Sequence, residues 1–171
     1  FFGPNLNPLT GERFRAGKGS LYEGGLKVPF LVRWPGKIKA DSNSDHLLYF
    51  PDVMPTLAAL THSDCPKTDG VSFLPSLLGR GRQQQHKYFY WEYLGQTAVR
   101  MNQWKAYKGR KGDWELYDLS KDTEEKGNLA LVELPMLSRL IECAKVAHEP
   151  ADPGEIYSRT LIEKDRRQAP H

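Results

Sequence analysis

Cysteine is scarce. Only Cys65 and Cys143 occur in 171 residues, far apart and without His or Cys neighbours at metal-ligand spacing, so they make no metal cluster. The two thiols fit either one bridge in an oxidising compartment or two ordinary buried residues, and the sequence leaves both open. No apolar run approaches the length of a membrane-spanning helix. Charge of one sign is not in excess either: 24 basic side chains face 21 acidic ones, for a net +3. The two signs are interleaved except for short basic runs at 105–111 and 164–167. A nucleic-acid partner needs one consistently basic face, so that class drops out. No internal repeat and no low-complexity segment occurs. There is no starting Met and no leader-like segment. Phe1-Phe2-Gly3-Pro4 reads as the opening of a chain cut from something larger, and the compartment is not legible.

What is present is enough for a folded core. Hydrophobic residues make up 39% of the chain and charged ones 26%, a balance that excludes wholesale disorder. Residues 1–20 carry Gly, Pro and Asn without periodicity and read as loop. Val28–Trp34 is β-rich and alternating, with Pro29 tolerated at its start, and is expected to be a strand closed by Trp34-Pro35-Gly36. Within Pro51–Leu60, Val53, Leu57 and Leu60 fall on one helical face, with Asp52 as the expected N-cap and Pro55 in the first turn. A shorter helical turn is expected within Val71–Leu78, ended by Gly79-Arg80-Gly81.

The texture changes near residue 80. Lys87–Tyr93, Thr97–Met101, Trp104–Lys108 and Trp114–Leu119 are aromatic and β-prone, with short turns between them, which predicts an antiparallel meander. Leu134, Leu137, Leu140, Ile141 and Ala144 then recur at three- and four-residue spacing, with Pro135 near the start of the helix they imply. Laying that helix across the sheet buries both apolar faces. The expected division is 1–80, 81–150 and a polar tail over 151–171.

The candidate for chemistry is Lys18, set between Gly17 and Gly19. Flexible backbone on both sides lets an anion approach the ammonium and the main chain together. At about 4 Å, an ammonium and a single anionic charge attract by on the order of 4 kcal/mol at an effective dielectric near 20. Taken alone, Gly-Lys-Gly is an ordinary solvated loop. Its context is not ordinary: Ser20-Leu21-Tyr22-Glu23-Gly24-Gly25-Leu26-Lys27-Val28-Pro29 follows, then Trp34-Pro35-Gly36.

That ordered string resembles the lysine block of type I sulfatases, the arylsulfatase family. Lys27 stands where the family usually has arginine, at a supporting position. Asp52-Val53-Met54-Pro55-Thr56-Leu57, the segment from Asp69 to Leu77, Ala98-Val99-Arg100 with Trp104-Lys105, and Glu115–Leu119 with Asp122, Glu125 and Asn128–Ala130 resemble further family segments. The resemblance implies an α/β class: the end of an alkaline-phosphatase-like sulfatase domain, then a small antiparallel sheet with a C-terminal helix. It implies hydrolysis of a sulfate ester, of a sulfated carbohydrate or an aryl alcohol, with Lys18 binding a sulfate oxygen. It also implies calcium and a formylglycine nucleophile in the full-length enzyme, neither carried by this segment. Cys65-Pro66-Lys67-Thr68 has its proline one place early and no arginine, and Asn5 after Gly3-Pro4 does not replace the family's Asp-Asn ligand pair. The missing N-terminal region is then the partner of this segment, which by itself is expected to be inactive. A periplasmic or secreted location fits the family. The alternative is a non-catalytic module that kept the fold, and a phosphoryl-transfer relative of the same superfamily is a third option.

Other residues carry weaker signals. The acidic stretch Asp118–Glu125 lacks the alternation and central glycine of a calcium loop and reads as a solvated turn. Trp91 and Glu92 fit a carbohydrate subsite less well than sheet packing with a surface charge. His46 and His86 have no nucleophile or carboxylate at suggestive spacing, and read as ordinary surface or core histidines.

Overall fold

The computed structural model describes residues 5–7 and 10–150. The expected tail over 151–171 lies outside the described residues, as do residues 1–4, 8 and 9.

Four strands follow one another in chain order: β1 (Phe89–Tyr93), β2 (Gln96–Met101), β3 (Trp104–Lys108) and β4 (Trp114–Asp118). They pair antiparallel as β1-β2-β3-β4, the meander that short turns between β-prone runs dictate. Leu94 and Gly95 join β1 to β2 with φ of 47° and 75°. Two positive-φ residues make a type I′ turn, whose twist matches the strands it joins.

The register aligns Val99, Ala106 and Leu116 across the sheet on one face. Against them lies α4 (Leu134–Ala147), which buries Leu137, Leu140 and Ala144, while Leu134 in its first turn stays 56% exposed. Trp104 and Trp114 pack at the edge of this cluster. Full burial of Leu140 alone contributes about 1.5–3 kcal/mol. Asn128 ties the return from β4 to the sheet, its Oδ1 accepting the Leu116 and Ala130 amides at 3.0 and 2.9 Å.

The opposite face is also buried. There Ala98, Tyr107 and Tyr117 pack with Leu21 and Tyr22, from the segment that contains Lys18. The Glu-Gly-Gly run is a single helical turn, α1 (Glu23–Leu26). One sheet thus carries a helix on one side and the lysine segment on the other.

Between these parts, a 3-10 turn (Phe50–Asp52) leads into α2 (Val53–Thr61), and α3 (Leu74–Leu78) ends on Gly79 with φ 62°. Asp52 stands at the N-cap position of α2 but makes no side-chain cap. Its carboxylate instead accepts the Tyr49 and Val71 amides and His86 Nε2, at 3.0, 2.8 and 2.8 Å. The expected apolar face of α2 is not its buried face: Thr56 is buried and Leu57 is 55% exposed. Thr56 Oγ1 donates to Asp52 O and accepts the Phe73 amide, so a polar tie between two loops outranks the apolar stripe.

The strand expected over Val28–Trp34 is absent. Those residues have no regular structure, and Val28, Phe30, Leu31, Val32 and Trp34 are between 37% and 92% exposed. A strand has no internal hydrogen bonds, and among the described residues none lies alongside to supply a ladder. The Trp-Pro-Gly stop does form: the Lys37 amide donates to Trp34 O at 3.1 Å, with Gly36 at φ 77°.

Candidate functional site

Lys18 sits exposed at the tip of a four-residue turn in which the Ser20 amide donates to Gly17 O at 3.1 Å. Gly19 has φ 87°, the positive value that the third position of a type II turn requires. The glycines around Lys18 therefore shape the turn as well as leaving room beside the ammonium.

The Gly24-Gly25 pair has a separate cause. A Cβ on Gly25 would lie 2.0 Å from Ser20 O and 2.7 Å from Gly17 O. On Gly24 it would lie 2.3 Å from Arg15 O. Backbone of α1 presses directly on the backbone of the Lys18 turn, so no side chain fits at either position. The Gly24 amide donates to Arg15 O at 3.0 Å, and the Asn5 side chain donates to Gly24 O and Lys27 O at 3.0 and 3.1 Å. Asn5 braces α1; its amide nitrogen is a donor there.

Beneath α1 is a buried ionic centre. Lys105 Nζ, fully buried, lies 2.8 Å from Glu23 Oε1 and 2.8 Å from Glu125 Oε1. Glu125 Oε2 also accepts the Glu23 amide at 2.7 Å, and Arg100 stands 3.8 Å from Glu23. Burial pushes the Glu125 carboxyl above the ordinary carboxylate range, and the Lys105 charge opposes that push. A second polar layer lies beside it. Glu115 Oε2 accepts Tyr22 OH at 2.7 Å and accepts Tyr117 OH, while Arg15 donates to Tyr117 OH at 2.6 Å and stacks 4.0 Å over the Tyr22 ring. Burial first, then the bond to Glu115, raises the phenol pKa of both Tyr22 and Tyr117, so both remain donors.

The acidic stretch Asp118–Glu125 is not the solvated turn its composition suggests. Asp118 Oδ1 accepts the Ser120 hydroxyl and amide, at 2.6 and 3.1 Å. Asp122 takes the Lys126 and Gly127 amides, and Glu125 is buried on Lys105. These oxygens are committed to the protein, so the stretch does not fit a calcium ion. Among the described residues, no three His, Cys, Asp or Glu side chains converge as metal ligands.

Trp91 stacks on Phe89 at 5.8 Å, and Glu92 pairs with His148 at 2.9 Å. His86 does have a carboxylate partner, Asp52, which sequence spacing missed because they are 34 residues apart. His46 sits near both, and burial holds it below the ordinary imidazole value. Cys65 is exposed, Cys143 is half-buried, and neither is bridged.

The sequence singles out Lys18 but gives Lys105 only as part of a structural hairpin, whereas the structure buries Lys105 between two carboxylates. The available signal was alternation: Lys105 and Tyr107, with Glu115 and Tyr117, lie on the sheet face opposite the apolar one.

The family model described as N-sulphoglucosamine sulphohydrolase, C-terminal, matches residues 11–142. The chain is 35% identical over 152 residues to arylsulfatase A of Bos taurus, covering 84% of this chain and 28% of the relative. It is 33% identical over 155 residues to N-acetylgalactosamine-6-O-sulfatase of Bacteroides thetaiotaomicron, covering 77% of this chain and 30% of the relative. The crystal structure of Ps i-CgsB in complex with k-i-k-neocarrahexaose superposes with a TM-score of 0.70 at 29% identity, covering 89% of this chain and 36% of that one. The chain thus spans about three-tenths of the length of these curated relatives.

Proposed function

The chain belongs to the sulfatase family, as a C-terminal portion, and from that premise we propose that it supplies one wall of the sulfate site of a sulfuric ester hydrolase, with Lys18 as the contact. The observation that carries this reading is the Lys18 turn. An exposed lysine stands between two glycines, on a loop pinned from below by α1 and the buried Lys105 centre.

Lys18 acts as an electrostatic clamp. Its charge opposes that of the sulfuryl oxygens and holds them while the bond from sulfur to the ester oxygen breaks. Gly17 and Gly19 carry no side chain that would keep an oxygen from the ammonium. A formylglycine hydrate and calcium, supplied from outside this segment, provide the nucleophile and further charge on the sulfuryl group. The segment therefore needs the rest of the enzyme.

Residues 1–80 then belong to the large α/β domain and 81–150 to the small sheet subdomain, with the Lys18 segment of the first docked on the sheet of the second. The exposed, β-prone Val28–Trp34 supports this division, because it completes a ladder only when a neighbouring strand is supplied. The names of the relatives favour a sulfated carbohydrate as substrate, with aryl sulfates as the alternative.

The test uses 4-nitrophenyl sulfate and sulfated oligosaccharides. The full-length protein releases product, Lys18→Ala lowers kcat/KM by about a hundred- to a thousandfold, and the isolated 171 residues release none. Calcium-dependent release by the pure isolated segment, or full activity of Lys18→Ala, overturns the reading.

A further inference from the structure

The Lys18 turn is held by one side chain of the sheet subdomain. Gln96, the first residue of β2, donates from Nε2 to Gly19 O at 3.0 Å, and its Oε1 accepts the Leu21 amide at 3.3 Å. The two bonds straddle Ser20, so the amide acts as a short piece of strand paired to the loop. Tyr107 OH donates to the same Oε1 at 3.1 Å, which fixes which end of the amide faces which partner. Tyr107 is itself buried and held against Tyr22, ring centroids 3.9 Å apart. Gln96 is placed by the tight Leu94-Gly95 turn, where Tyr93 and Gln96 pair across the hairpin and Tyr93 reaches about 4.0 Å from the position of a Gly19 Cβ.

We propose that Gln96 is a positioning residue for the sulfate-binding lysine: it fixes the backbone on the C-terminal side of Lys18, oriented by Tyr107, and so sets where the ammonium stands. The proposal rests on the reading of Lys18 given above. Three features support it. The turn has one internal backbone hydrogen bond, from Ser20 to Gly17, and a loop so short of its own bonds takes its geometry from outside. Gln96 meets the loop at two backbone atoms within three residues of Lys18. And the contact joins residues 75 and 77 apart, bringing the small sheet to the Lys18 loop.

The test is a double-mutant cycle in the full-length enzyme with the sulfate ester it turns over. Gln96→Leu lowers kcat/KM by about ten- to a hundredfold, the scale of an approximately 1 Å misplacement. In a Lys18→Ala background the same substitution has no further effect, because there is no ammonium left to misplace. Gln96→Glu keeps the acceptor for Leu21 and Tyr107 but loses the donor to Gly19 O. It shows the same lysine-dependent loss, and it remains the test if Gln96→Leu fails to fold. A loss of equal size in both backgrounds assigns Gln96 a merely structural role and overturns the proposal, as does wild-type kinetics in both variants. Wild-type kinetics in Lys18→Ala, or no turnover and no binding of sulfate esters by the wild-type enzyme, overturns the underlying reading of Lys18, and this inference with it.

Discussion

Lys105 Nζ and Glu23 Oε1 meet at 2.8 Å inside the protein, although the two residues are 82 positions apart. Glu23 belongs to the lysine block and Lys105 to the third strand. Their pair, with Glu125 on the other side of the ammonium, is what makes the Lys18 loop and the small sheet one structural unit.

Removing the shared cation leaves two buried carboxylates facing each other. Lys105→Met therefore destabilises the protein by about 3–5 kcal/mol. Urea denaturation followed by tryptophan fluorescence measures it, since Trp104 and Trp114 border the core. A loss under 1 kcal/mol contradicts the assignment of this centre as the lock on α1.

Gly25→Ala puts a methyl group where Ser20 O now lies 2.0 Å away. Main chain cannot yield as a flexible side chain does, so the Lys18 turn must move. The expected cost is about 1–3 kcal/mol of stability. For the proposed sulfatase activity, the expected kinetic signature is a drop in kcat/KM larger than that of Gly36→Ala, whose added Cβ meets nothing within 4 Å and whose strain, from its φ of 77°, lies away from the Lys18 turn. Equal kinetics for the two variants removes the steric argument.

Leu140 is fully buried between α4 and the sheet. Leu140→Ala opens a cavity and destabilises by about 2–5 kcal/mol. Leu134→Ala, at a 56% exposed position of the same helix, changes stability by about 0.5 kcal/mol or less. Similar effects from both in the same urea assay would mean that α4 presents a different face.

Burial, with the His86 charge adding, lowers the His46 pKa from the ordinary 6.5, and the Asp52 carboxylate only partly offsets it. A depressed folded pKa means the neutral ring is favoured by the fold. That contribution is present above pH 6.5 and is lost as pH falls through the depressed value. His46→Gln accordingly flattens the decline of the urea midpoint between pH 7 and pH 5. An unchanged slope across that window sinks the attribution to His46.

Much of the small sheet was legible because its signals are local. Trp104–Lys108 and the neighbouring β-prone runs became β1 to β4, and the 3.6-residue spacing of Leu137, Leu140 and Ala144 gave the buried face of α4. Each reading failed where a local signal competed with a distant partner. Asp52 has the composition of a cap, yet its carboxylate is taken by Val71 and His86. Val28–Trp34 has strand composition but no strand beside it among the described residues. Thr56 is buried ahead of Leu57 because its hydroxyl ties two loops together.

The sequence by itself determined the meander, the helix and the lysine between two glycines, since periodicity and turn chemistry act over a few residues. It also carried the order of motifs that marks the family. Only the tertiary structure decided that Glu23, Lys105 and Glu125 share one buried centre, that Gly24 and Gly25 are bare because backbone presses on them, and that Gln96 holds the turn carrying Lys18. The glycine contacts are local, but the ionic and Gln96 contacts join residues 20 to 82 positions apart, and whether two such side chains meet depends on strand register and on which sheet face each occupies. A charge looks solvated in sequence until the fold removes water from it, and then its partner becomes obligatory.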